Sequence, residues 1–74
     1  MNKIKVMLDT GTDCANFVQI ANTINEPVFL EDGSSYRVNA KSLMGVMYGK
    51  HEFTELYVIS DNENIATKFL RFIV

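Results

Sequence analysis

Two side chains with strong nucleophilic or metal-binding chemistry occur once each in this sequence, His51 and Cys14. A histidine can accept a proton, a metal ion or a phosphoryl group, and a cysteine thiolate can attack an electrophile. One of each is too few for a typical zinc site, and a single cysteine cannot form an internal disulfide. The sequence therefore predicts no metal and no other cofactor, and it is typical of a reducing compartment.

Cys14 has two interpretations. It lies near the start of a predicted helix, where the positive end of the helix dipole lowers the pKa of a thiol and favours a nucleophile. It also lies on an apolar stripe with Val18 and Ala21 at helical spacing, which favours a small buried side chain. We favour the core interpretation.

Composition excludes several classes of protein. The 74 residues are enough for one domain, residues 1–74, and no linker or repeat divides them. A hydrophobic fraction of 47% with 22% charged residues argues against disorder, and the net charge of −2 argues against a nucleic-acid partner. The apolar runs are too short for a membrane span, and the alternating N-terminus does not resemble a signal peptide. We therefore expect a cytoplasmic protein.

Periodicity predicts seven elements. Alternating apolar residues indicate strands at residues 3–9, 28–31, 35–39 and 55–59. Helical spacing indicates helices at residues 14–24, 41–47 and 62–73, with Asp13 and Ser42 as N-caps and Gly49 ending the second. Asp32, Gly33 and Ser34 predict a hairpin turn in which Gly33 adopts a positive φ. The last helix would bury Ile65, Ala66, Phe69, Leu70 and Ile73.

The order β-α-β-β-α-β-α predicts an α+β fold. Four strands with interleaved helices are typical of a two-layer, open-faced sandwich, in which an antiparallel sheet carries its helices on one face.

Residues 38–47, VNAKSLMGVM, resemble the regulatory-serine segment of HPr, the histidine-containing phosphocarrier of the bacterial sugar phosphotransferase system. They are also similar to that family's catabolite-repression paralogue, Crh. Thr10-Gly11, the segment FVQ-AN at 17–22 and the strand VFLE at 28–31 resemble further parts of the family, so the resemblance spans essentially the whole chain. It implies the HPr fold, with strand order 1-4-2-3.

The resemblance fails at the phosphocarrier loop. The family carries a hydrophobic residue and then His-Ala-Arg-Pro after Thr-Gly, whereas this chain has Thr12, Asp13 and Cys14 and is shorter before Phe17. A phosphoryl acceptor there needs an imidazole and a cation, and Asp13 brings the wrong charge. His51 is predicted in the loop after the second helix, far from this position. We therefore expect a degenerate site and no enzyme activity.

Ser42 is the family feature that this chain retains. It corresponds to the serine that a dedicated HPr kinase phosphorylates in HPr and Crh of many Gram-positive bacteria. Phosphate at a helix N-terminus meets unpaired amides and the positive end of the dipole. The alternative is that Ser42 is an N-cap and nothing more.

Leu43, Met44 and Met47 follow Ser42 on the second helix. The matching family positions form an apolar patch that docks protein partners, such as a transcriptional regulator. Methionine suits such a surface because its side chain adapts to different shapes. We predict that Met44 and Met47 are exposed, and the alternative is that some of the three face the sheet.

The outer face of the sheet is the last candidate. The alternation points nine residues at the helices: Ile4, Val6, Leu8, Val28, Leu30, Tyr36, Val38, Leu56 and Val58. Their neighbours face outward, and the family's strand order would group Met7, Phe29, Tyr57 and Ile59. An apolar group of that size predicts a homodimer or partner contact, and scattered surface residues are the alternative.

Three functions follow from these patterns. The first is a non-catalytic, HPr-like regulatory protein of carbon catabolite control, phosphorylated on Ser42. The second is a divergent phosphocarrier that uses Cys14 or Asp13. The third is an interaction module that kept the fold and lost both phosphorylation roles.

Overall fold

The computed structural model describes all residues from Met1 to Val74. Its strands are β1 (Asn2–Val6), β2 (Val28–Glu31), β3 (Arg37–Asn39) and β4 (Leu56–Ser60). Its helices are α1 (Gly11–Ala21), α2 (Leu43–Glu52) and α3 (Ile65–Lys68), and a short 3₁₀ helix follows at Leu70–Phe72. None of these helices has the length and apolar character needed to cross a membrane.

The strands form one antiparallel sheet in the order β1-β4-β2-β3. This confirms the predicted fold class and strand order. Ile59 on β4 lies opposite Lys3 on one side and Phe29 on the other. In the next row of the same face, Tyr57 lies opposite Glu31, which pairs in turn with Arg37.

The core lies between the sheet and the helices. Phe17 of α1 is fully buried, and its ring packs against Phe69 and Phe72 with centroids 4.6 and 5.6 Å away. The inward residues of the strands complete this core, and Val46 is the buried side chain that α2 contributes. Burial of such side chains is the main favourable term in folding, worth roughly 1.5–3 kcal/mol for each large apolar side chain.

The first helix begins earlier than predicted. Thr10, not Asp13, is its N-cap, and its side chain accepts a hydrogen bond from the Asp13 amide. Asp13 is the third helical residue and completes a capping box with Thr10. Both residues are good caps, so residue type alone did not separate them.

Gly49 does not end the second helix, which continues to Glu52. A Cβ at Gly49 would lie 2.9 Å from Leu30 Cδ2 and 3.1 Å from Phe53 Cε2. The glycine therefore permits close packing of α2 on the sheet, a role that sequence alone does not distinguish from a helix end.

The predicted last helix is wrong in its second half. The α-helix ends at Lys68, and Phe69 and Phe72 reach the core through a tighter turn. Ile73 then bridges to Val6 at the edge of β1. Leu70 is exposed in this turn, and Ala66 is exposed within the α-helix itself, although helical spacing predicts both in the buried stripe.

The hairpin prediction is confirmed, since Gly33 has a φ of 98° between β2 and β3. Tyr36 precedes the shorter β3 and faces the helix layer as predicted, since its ring meets that of Tyr48 in α2, but it is exposed at the margin of that layer and is not part of the core.

Candidate functional site

Ser42 lies at the junction between β3 and α2. Its backbone is extended, with φ −106° and ψ 122°, and its Oγ accepts a hydrogen bond from the Gly45 amide at 3.2 Å. Its carbonyl accepts from the Val46 amide at 2.9 Å. Ser42 is therefore the N-cap of α2, as predicted, and the first turn of α2 contains no acidic residue that would neutralise the helix end.

The turn before Ser42 is held by several polar contacts. The Lys41 amide donates to Asn39 Oδ1 at 2.9 Å, and the Ser42 amide donates to the Asn39 carbonyl at 3.1 Å. Lys41 Nζ donates to the Ile24 carbonyl at 2.6 Å, and Asn22 Nδ2 donates to the Lys41 carbonyl at 3.2 Å. The loop after α1 thus fixes the start of α2.

The three apolar residues after Ser42 face solvent. Met44 is 85% exposed, and Leu43 and Met47 are also exposed. The predicted exposure of Met44 and Met47 is confirmed. We refer to Leu43, Met44 and Met47 as the apolar patch; it adjoins the helix end that Ser42 caps.

An aromatic cluster adjoins the same helix and was missed by the sequence reasoning. The rings of Tyr36, Tyr48 and Phe53 meet edge to face, with centroids 5.7–6.5 Å apart. Tyr48 follows Met44 by one helical turn, and this spacing is the signal that would have placed it on the exposed face.

The start of α1 is where the phosphocarrier loop was expected. Asp13 Oδ2 accepts hydrogen bonds from the amides of Asp9 at 2.9 Å and Thr10 at 3.3 Å. Thr12 is exposed in the first turn. A shallow depression of about 410 Å³ beside them is lined by Met7, Asp9, Asp13, Arg71, Phe72, Ile73 and Val74. The carboxylates of Asp9 and Asp13 and the side chain of Arg71 therefore line this end of the molecule.

Cys14 lies in the core. Its side chain is fully buried with Phe17 and Ala21, and burial raises the pKa of its thiol. The thiolate is the reactive form, so the environment disfavours nucleophilic chemistry.

His51 lies in the last turn of α2, not in a loop as predicted. Its imidazole is exposed, and Nε2 lies 3.6 Å from Glu52 Oε2. The chain contains no cluster of three or more histidine, cysteine, aspartate or glutamate side chains arranged to hold a metal ion.

The outer face of the sheet carries ion pairs among its apolar residues. Glu31 is only 3% exposed, and Lys3 Nζ and Arg37 Nε each lie 2.9 Å from one of its carboxylate oxygens. The Lys3 ammonium holds the pKa of Glu31 below its ordinary value, and the Arg37 guanidinium acts in the same direction. Together they outweigh burial, which by itself would raise this pKa. Glu31 and Arg37 lie opposite each other on the two strands of the hairpin. Their opposite charges at equal distances from the turn are a signal that the sequence contains.

The predicted oligomer residues do not form one open patch. Ile59 is 2% exposed, while Phe29 and Tyr57 are half-buried. The Arg37 guanidinium lies 5.6 Å from the centre of the Phe29 ring, and Lys3 Nζ lies 4.8 Å from that of Tyr57.

Met7 is the fourth predicted oligomer residue, and it is exposed past the end of β1. Its amide donates to the Phe72 carbonyl at 2.8 Å, so it lies beside the C-terminal segment.

No protein-family model matches this chain, and no curated protein matches it. Among solved structures, the chain is similar to Crh, the catabolite repression protein of Bacillus subtilis, with 35% sequence identity and a TM-score of 0.59. The match covers 90% of this chain and 76% of Crh, whose crystal structure is described as an intertwined dimer with a swapped domain. At this identity and coverage, the chain belongs to the HPr-like family, in its Crh-type branch.

Proposed function

We propose that this protein is a non-catalytic regulator in bacterial carbon catabolite control, acting in the cytoplasm and switched by phosphorylation of Ser42. The observation that carries the proposal is the position of Ser42, which caps α2 directly beside the apolar patch. The similarity to Crh, a catabolite repression protein, supports the same pathway.

The chemistry of the α2 N-terminus supports a phosphate there. The phosphoryl group of a phosphoserine carries roughly −1.5 to −2 charges at neutral pH and three strong acceptor oxygens. The amides of the first turn and the positive end of the helix dipole favour such a group, and no carboxylate in that turn competes for them. Phosphorylation would therefore place a charge at one end of the apolar patch and change which partners bind it.

The partners we propose are an HPr-type kinase, which modifies Ser42, and a transcriptional regulator, which contacts Leu43, Met44 and Met47. Exposed methionines suit a surface that binds more than one shape. Ser42 is half-buried, and the two residues that follow it, Leu43 and Met44, are exposed, so a kinase would approach from this side.

The proposal excludes phosphoryl transfer through α1. The Asp13 carboxylate already accepts the amides of Asp9 and Thr10, and Cys14 is buried with a raised pKa. A carrier would need a free phosphoryl acceptor beside the cation that Arg71 supplies at the depression next to the start of α1, and neither side chain provides one.

Two labelling reactions test this function. The full chain is incubated with ATP and an HPr kinase, and separately with phosphoenolpyruvate and the general phosphotransferase, with true HPr in parallel. We expect label from ATP that is lost in Ser42→Ala, and no label from phosphoenolpyruvate. Label from phosphoenolpyruvate that disappears in Cys14→Ser would instead support a divergent carrier.

A second candidate is an interaction module without phosphorylation, in which a second copy of the chain is one partner. The swapped dimer described for Crh favours this assembly. Light scattering over a range of protein concentrations tests it, since a strictly monomeric mass would remove the homodimer. A function that is indifferent to Ser42→Ala but lost in Met44→Ser would support the module.

A further inference from the structure

A small cleft opens on the outer face of the sheet, on the side that does not carry the helices. It has a volume of about 230 Å³. The residues that line it lie in the four strands, in the turn between β2 and β3, and just before β1: Met1, Lys3, Glu31, Ser34, Arg37 and Ile59. The sheet separates this cleft from α2, which packs on the opposite face, so a ligand here would occupy a different site from that of Ser42.

Both cations of this cleft are held at two points. Lys3 Nζ lies 2.9 Å from Glu31 Oε1 and 4.8 Å from the centre of the Tyr57 ring. Arg37 Nε lies 2.9 Å from Glu31 Oε2, and its guanidinium lies 5.6 Å from the centre of the Phe29 ring. A cation that is already held by a carboxylate and an aromatic ring loses little freedom when it binds a ligand. The two cations are therefore preorganised.

The charges that line the cleft do not balance. Lys3 and Arg37 share the carboxylate of Glu31, so the three side chains together carry one positive charge. The Glu31 side chain is 3% exposed, whereas those of Lys3 and Arg37 are 43% and 41% exposed, so a ligand meets the positive groups first. The next carboxylate of the hairpin, Asp32, accepts hydrogen bonds from the Ser34 amide and hydroxyl and does not line the cleft.

Most donors of the two cations are free for a ligand. Lys3 uses one N–H of its ammonium for Glu31 and forms no other salt bridge. Arg37 uses Nε for Glu31, and its one further contact is a long one of 3.9 Å from Nη1 to Met1 Sδ, which is a weak acceptor. A guanidinium fork can hold two oxygens of a phosphate, and an ammonium beside it adds a point charge.

We propose that this cleft binds a dianionic phosphate group between the terminal nitrogens of Arg37 and the ammonium of Lys3. Glu31 lies below the ligand and keeps both cations in position. The cleft is smaller than the pockets that hold drug-sized molecules, so it suits inorganic phosphate or the phosphate end of a small phosphomonoester. This site goes beyond the proposed function and does not depend on Ser42.

The test is a titration of the isotopically labelled, unphosphorylated full chain with inorganic phosphate, which replaces chloride at constant ionic strength and pH. Backbone amide signals and the Nε–H signal of Arg37 are recorded. We expect saturable shifts of that side-chain signal and of amides at residues 2–4, 31–37 and 57–60, with half-saturation below about 10 mM. Acetate should bind at least about fivefold more weakly, because it carries one charge and two oxygens.

Methyl phosphate, titrated in the same way, separates the two sources of the phosphate group. Binding as tight as that of inorganic phosphate would assign the cleft to a phosphomonoester. Binding weaker by about tenfold or more would assign it to free phosphate, because the ester methyl group would then not fit beside the two cations.

Variants test the two cations separately. Lys3→Gln and Arg37→Gln should each weaken phosphate binding by about tenfold, because each removes a charge-assisted hydrogen bond. Lys5→Gln is the matched control: Lys5 is 50% exposed on the same strand, pairs with Glu55 and does not line the cleft, so this variant should bind phosphate as the natural chain does. A dispersed amide spectrum identifies the variants that remain folded, and changing two residues separately keeps the comparison if one variant unfolds.

Four results would overturn the proposal: shifts that do not saturate, an equal response to acetate, an equal effect of Lys5→Gln, or shifts confined to residues 42–46. The last result would show that phosphate binds the start of α2 instead. None of these results bears on kinase labelling of Ser42, so failure of this proposal is distinct from failure of the proposed function.

Discussion

Lys3 Nζ lies 2.9 Å from Glu31 Oε1, although their strands, β1 and β2, are separated by β4. The lysine side chain crosses β4 beside Tyr57, and Arg37 approaches the same carboxylate from β3. Glu31 thus connects both outer strands of the sheet. Lys3 lies in the row that contains Ile59, and Glu31 and Arg37 lie in the row of Tyr57, so the outer face presents charge where its sequence suggested an apolar cluster.

The ion pairs of Glu31 predict a specific pH dependence. The pKa of Glu31 is lowered in the folded protein, so its ionised form stabilises the fold above the unfolded value of about 4.3. That contribution is lost as pH falls through the lowered folded pKa. In urea unfolding, Glu31→Gln should therefore be less stable than the natural chain near neutral pH, and the gap should close in acid.

Glu63→Gln is the matched control, because Glu63 is exposed and forms no ion pair. If the difference in unfolding free energy between the natural chain and Glu31→Gln stayed constant down to about pH 3, the stabilising role of ionised Glu31 would be contradicted.

Ser42→Ala removes the side-chain cap of α2. The Gly45 amide would lose its acceptor, and the free energy of unfolding should fall by about 1 kcal/mol. Ser42→Asp keeps an acceptor oxygen at the cap and should stay within about 0.5 kcal/mol of the natural chain. Equal losses in both variants, measured by urea unfolding, would argue against a capping role.

Cys14 should be inert in the folded protein. Because its thiol is fully buried and its pKa is raised, it should react with a thiol reagent many times more slowly than in urea. Cys14→Ser places a hydroxyl in an apolar site and should cost about 1–3 kcal/mol. Rapid labelling of the native chain, followed by absorbance, would show that the core around Cys14 opens.

Gly49→Ala should destabilise the protein despite the better helix propensity of alanine. The new methyl group would meet Leu30 Cδ2 at 2.9 Å, and overpacking of this kind costs about 1–3 kcal/mol. Gly11→Ala is the matched control, because a Cβ there has no atom within 4 Å, and this variant should be neutral or slightly stabilising. A loss of the same size in both variants, measured by thermal unfolding, would contradict the packing argument.

The sequence predicted the sheet and the two long helices because their signals are local. Alternation in the strands, the turn at Gly33 and the cap at Ser42 each involve neighbouring residues. The last helix failed because two distant contacts decide its course, namely Phe72 on Phe17 and Ile73 beside Val6. Helical spacing carries no information about either contact.

The candidate site was predictable in part for the same reason. The exposed Met44 and Met47 follow directly from the segment that resembles the family, whereas the aromatic cluster joins a hairpin to a helix. Gly49 lets α2 lie close to Leu30 and to the Phe53 ring of this cluster. Likewise, the sequence pattern shows Glu31 only as an outward-facing strand residue, because the two residues that pair with it, Lys3 and Arg37, lie on other strands.

The central claim is that Ser42 is the regulated residue of a Crh-type protein. Its most direct test is peptide mapping by mass spectrometry after the full chain has been incubated with ATP and an HPr kinase that modifies true HPr in parallel. We predict a single added phosphate, located on Ser42 and absent from Ser42→Ala. No phosphate on the chain while true HPr is modified, or phosphate on another serine or threonine, would contradict the claim.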